Sequence, residues 1–104
     1  MGADERVDRS RLLYERALAD HADGRLEEAR RRLEESSGLR REIGFLPGVA
    51  SNMVGLIYIA AGQGRHDDAL ALLDEAKTIA EASGARAIMR QVEEARAAIG
   101  SHSR

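Results

Sequence analysis

The sequence predicts an all-α fold in which antiparallel helix pairs stack side by side, five helices in all. Three observations carry this. A segment repeats at an offset of 40 residues: Gly24-Arg25-Leu26-Glu27-Glu28-Ala29 returns as Gly64-Arg65-His66-Asp67-Asp68-Ala69. The composition favours helix, with one proline, much Ala, Leu, Glu and Arg, and no β-branched runs bounded by turn residues. Apolar residues recur at helical spacing between glycine-marked breaks.

The breaks place helices at about 8–22, 25–43, 47–62, 65–83 and 86–99. Asp23-Gly24 closes the first, since glycine tolerates the left-handed conformation that ends a helix. Gly44 closes the second, and Pro47 suits the first turn of the third, where its missing N–H costs nothing. Gly62 and Gly64 mark the next turn, and Ser83-Gly84 the last. Leu26, Ala29, Leu33 and Ser36 form one stripe of the second helix, and Ala69, Leu72, Leu73, Ala76 and Ile79 repeat it on the fourth. The third helix, apolar on nearly every side from Val49 to Ala61, reads as sandwiched between others. The fifth has one apolar arc, Ile88, Val92, Ala95 and Ile99, and a charged back, which suits a capping helix. The expected organisation is a flexible N-terminus over 1–7, a helical repeat domain over 8–99 and a flexible tail over 100–104.

Composition excludes several functions. A net charge of −2 gives no long-range attraction to nucleic acid. The absence of cysteine removes disulfides, thiolate nucleophiles and zinc fingers together. Met1–Ser10 is charged, without an apolar signal region, and Arg6 stands where a myristoylation site needs Ser or Thr. The longest apolar run, Met53 to Ala61, is far short of a bilayer span of roughly 20 residues. These point to a cytoplasmic protein with no membrane contact, and the Arg- and Ala-rich composition to a GC-rich bacterial genome.

No arrangement of residues spells catalysis or a cofactor site. His21, beside Ala17 and Leu18, has no second ligand or base one turn away. His66 precedes Asp67 and Asp68, but acids in a first turn are ordinary partners of the helix dipole. His102 lies in the tail. The run Arg30-Arg31-Arg32 is interleaved with Glu27, Glu28, Glu34 and Glu35, so it reads as a self-paired solvated face. The expectation is no enzyme, no metal and no cofactor.

Val54-Gly55, Tyr58, Gly62, Ala69, Leu73 and Ala76 together resemble the tetratricopeptide repeat. In that motif a small residue and an aromatic mark the first helix, a glycine ends it, and Ala, a large apolar residue and Ala mark the second. The resemblance covers about residues 10–100, as an α-solenoid of about two and a half repeats. Glu15 departs from it, standing where Gly55 predicts a small residue. The 40-residue unit looks like the long repeats of kinesin light chains and of bacterial regulator sensor regions. The resemblance implies a scaffold that binds a protein or peptide, or a second copy of the chain, in a groove lined by the first helix of each pair. An alternative it supports is a fragment of a larger signalling or transcriptional regulator, whose repeats self-associate or relay conformational change. Mapped here, the groove is Leu12 and Arg16, then Asn52, Leu56 and Ile59, then Val92 and Arg96. Leu12 falls outside the apolar arc of its own helix, Val7, Tyr14, Ala17 and Leu18, as a contact residue would.

Overall fold

In the computed structural model, which describes residues 2–100, the chain runs α1 (Ala3–Ala22), α2 (Leu26–Glu42), α3 (Leu46–Gly62), α4 (His66–Ser83) and α5 (Arg86–Gly100). There is no strand among the described residues. The bounds follow the sequence reading closely except at the ends. Residues 3–7 belong to α1 rather than preceding it, and Gly100 closes α5. Residues 101–104, with His102, lie outside the described residues.

The turns share one construction. Gly24, Gly44, Gly64 and Gly84 stand 20 residues apart, with φ of 79°, 73°, 75° and 67°. Each is followed by a residue whose N–H reaches back five positions: Arg25 to Asp20, Phe45 to Arg40, Arg65 to Ala60 and Ala85 to Ala80. This is the Schellman closure, which satisfies helix-end carbonyls and requires a left-handed residue at the glycine. No side chain caps α2, α3 or α4 at its N-terminus. Acids in the first turns of α2 and α4 meet the helix dipole instead: Glu27 and Glu28, then Asp67 and Asp68.

The helices pair α1 with α2 and α3 with α4, the two pairs join through α2 and α3, and α5 closes the far end against α3 and α4. The stack measures 47 × 31 × 19 Å. As its all-round apolar sequence predicts, α3 is central, burying Val49, Met53, Leu56, Ile57, Ile59 and Ala60. The larger core cluster sets Val49, Met53 and Ile57 against Ala69, Leu73 and Ala76 of α4 and Val92, Ala95 and Ile99 of α5. A smaller one joins Ala17, Ala29 and Leu33 to Leu56 and Ile59. Gly55 makes the second cluster possible, because a Cβ there would stand 2.8 Å from Leu33 Cδ1.

Beside this smaller cluster, α1, α2 and α3 also share a buried polar network. Ser10, Ser36, Arg40 and Asn52 are all buried. Arg40 Nη1 donates to Asn52 Oδ1 (2.9 Å) and to the Gly48 carbonyl (3.0 Å), and its Nε donates to Ser10 Oγ (3.3 Å). Asn52 Nδ2 donates to Ser36 Oγ (2.9 Å), whose proton goes to the Ser10 carbonyl (2.8 Å). The Arg40 guanidinium lies 5.3 Å from the Tyr14 ring centre and 5.6 Å from that of Phe45. Burial pulls its pKa below the usual arginine value.

Candidate functional site

Two troughs flank α3. On one side, α1, α3 and α5 enclose a cleft of about 300 Å³. Tyr14, Ala17, Leu18 and His21 line it from α1. Ser51, Val54, Gly55, Tyr58 and Ile59 form its base from α3, and Gln91 and Glu94 its far wall on α5. Leu33 of α2 shows through at the floor. The 40-residue register orders these walls: Tyr14, Val54 and Glu94 occupy equivalent positions on the alternate helices α1, α3 and α5, as do Leu18 and Tyr58 on α1 and α3. Leu18 and Tyr58 are among the exposed large apolar side chains. They gather around one concavity and are not scattered singly over the surface.

The groove mapped from the sequence lies one face away. Asn52, Ile59 and Val92 are at most 1% exposed and belong to the interior. Ile59 touches the cleft only as part of its floor. Leu56 is buried beneath the opposite trough, which Arg30, Glu34, Arg65, Asp68, Leu72 and Glu75 line. Arg96 is drawn to Asp74 of α4 at 3.6 Å. Leu12 and Arg16 are exposed, on the side of α1 away from the core. The physical reason is geometric. Each first helix turns one flank to the pair before it, so α2 covers Asn52 and Leu56. On α1 the equivalent flank, Leu12 and Arg16, faces solvent, so the seven residues form no common strip. The signal for the cleft lay in the register, which sets Tyr14 over Val54 and Leu18 over Tyr58.

The opposite trough is apolar at its base and charged at its rim, and its charges answer one another. Arg30 pairs with Glu27 and Glu34, Arg65 with Asp68, and Arg41 with Glu75. Arg31 reaches Glu28, and Arg32 pairs with Asp20, so the arginine run is engaged residue by residue. Asp20, only 1% exposed, also accepts two hydrogen bonds from Arg25, at 2.9 and 3.2 Å. Burial alone would raise its pKa, but hydrogen bonds from Arg25 and Arg32 outweigh this and hold it below the ordinary carboxylate value. His66 sits at the first position of α4, at the rim of a broad hollow beside Tyr58 and Ile99.

Among the described residues no group of three or more His, Asp or Glu is placed to hold a metal ion, and no helix is long and apolar enough to cross a membrane. Neither curated proteins nor solved structures give a match to this chain. The family model described as tetratricopeptide repeat matches residues 8–82, from the first helix to the end of the fourth. The chain belongs to the tetratricopeptide repeat family, whose repeats generally mediate protein–protein interaction and are typically scaffolds rather than enzymes.

Proposed function

We propose that this chain is an interaction scaffold that holds a segment of a partner protein in the cleft between α1, α3 and α5. The observation that carries this reading is the gathering of Tyr14, Leu18, Val54 and Tyr58 around one concavity. Each wall stands on a helix locked into the stack, so the cleft is preformed and a ligand orders little on binding. A linear segment with one or two large apolar side chains fits a cleft of this size and lining.

The test is Leu18→Glu. Leu18 is 47% exposed, so the substitution is expected to leave thermal stability within about 0.5 kcal/mol. Affinity capture from the native cell, compared between wild type and variant, then reads the site. Loss of the captured partner with an unchanged melt supports the cleft, and undiminished capture places the contact elsewhere and removes the reading.

A further inference from the structure

The chemistry of the cleft wall says more about its occupant. The chain has sixteen lysines and arginines, yet none lines the cleft, and the one carboxylate there is Glu94. Neither Arg90 nor Arg96, the basic residues of α5 nearest it in sequence, lines the cleft. Arg96 is held by Asp74 on α4, and Arg90 borders a separate hollow with Lys77 and Glu93. Glu94 is exposed and enters no ion pair among the described residues, whereas most other acids near a trough are matched within the chain.

An aromatic surface accompanies it. Tyr14 and Tyr58 both line the cleft, but Tyr14 is already faced by Arg40. Tyr58, 38% exposed, is the ring left open to a ligand. It lies one helical turn along α3 from Val54, the residue equivalent to Glu94. An open aromatic ring and an unmatched carboxylate lining one cleft are what a cationic side chain requires: the ring takes the aliphatic stem or the charge, and the carboxylate takes the N–H donors.

We propose that the cleft selects a linear segment of another protein carrying arginine or lysine next to an apolar anchor, the cation meeting Glu94 with its stem along Tyr58. This rests on the cleft being the binding site, and the experiment separates the two claims. A display library of random 12-residue peptides is selected in parallel on the wild-type protein and on Glu94→Arg. The most enriched wild-type peptide, labelled with fluorescein, is then titrated by anisotropy against wild type, Glu94→Gln and Leu18→Glu.

Wild-type selection is expected to enrich Arg and Lys beside an aromatic or aliphatic residue, and Glu94→Arg to reverse the charge preference. Glu94→Gln should weaken the peptide roughly tenfold, with most of the salt dependence lost. Enriched peptides that lose binding to Leu18→Glu but show no basic preference and no response at Glu94 overturn this proposal and leave the cleft standing. Peptides indifferent to Leu18→Glu, or no enrichment at all, overturn both. A wild-type dimer in light scattering that Glu94→Gln dissociates makes the occupant a second copy, which also overturns the proposal of a separate partner.

Discussion

The two helix pairs have the same backbone plan and interiors that differ at four equivalent positions. Where the first pair buries Ser10, Asp20, Ser36 and Arg40, the second, 40 residues on, buries Ala50, Ala60, Ala76 and Ala80. The alanines ask for nothing but close approach. The polar set depends on completeness, because most of its donors and acceptors find a partner on another helix. Ser36 needs Ser10 and Asn52, Asn52 needs Arg40, and Asp20 needs Arg25 and Arg32. Identical geometry can therefore be held by area alone or by a closed circuit of hydrogen bonds. The two differ in how they fail.

The largest effects should come from the equivalent leucines. Leu73→Ala, in the wholly apolar larger cluster, is expected to cost about 2–5 kcal/mol in urea unfolding. Leu33→Ala should fall toward the lower end of that range, because Leu33 borders the open cleft and its cluster is smaller. Equal costs would mean that the two interiors are equally tight.

Arg40→Ala comes next, at about 2–4 kcal/mol, since it strips Asn52 Oδ1 and the Gly48 carbonyl of their donor. The informative variant replaces the circuit together: Ser10→Ala, Ser36→Ala, Arg40→Ala and Asn52→Val. Its cost should be smaller than the sum of the four single variants measured by the same denaturation. Strict additivity would show that the bonds act independently.

A third contrast is pH. Asp20 has a folded-state pKa below its ordinary 3.8, so its contribution to stability is complete above that value and is lost as pH falls through the folded pKa. Ala60, its counterpart, titrates not at all. Asp20→Asn should therefore be less stable than wild type at neutral pH. The gap between their urea midpoints should narrow as the solution is taken below pH 3.8. A gap constant down to pH 2 would separate Asp20 from the acid sensitivity of the fold.

The smallest expected effect is a gain. Gly38 is exposed within α2, with nothing within 4 Å of where its Cβ would be. Gly38→Ala should stabilise by about 1 kcal/mol, read as a raised midpoint. Its counterpart Thr78 offers no such gain in backbone order.

Much of this contrast was out of reach of sequence reading, for reasons that particular residues make plain. The helices and turns were legible because glycine and proline punctuate them and the 40-residue repeat checks each against its copy. Ser36 was read into the buried stripe because Ala76 stands in its place. Arg40 was not, because periodicity treats a charged side chain as wet unless a partner is visible, and its partners lie on two other helices. The candidate groove posed a different problem. An apolar flank such as Leu56 and Ile59 looks the same whether it meets a ligand or the preceding helix pair, and only the packing of α2 decides. Leu12 is the reverse case, apolar on a flank left bare at that end of the stack.

The missing side chain at Gly55 also matters beyond packing. Leu33 reaches the floor of the cleft through that gap, so a second helix, otherwise behind the wall, forms part of the surface that a bound segment touches. Occupancy of the cleft would then press on the joint between the two repeats as well as on their rims. A change at Leu33 would in the same way alter the lining of the cleft together with the core.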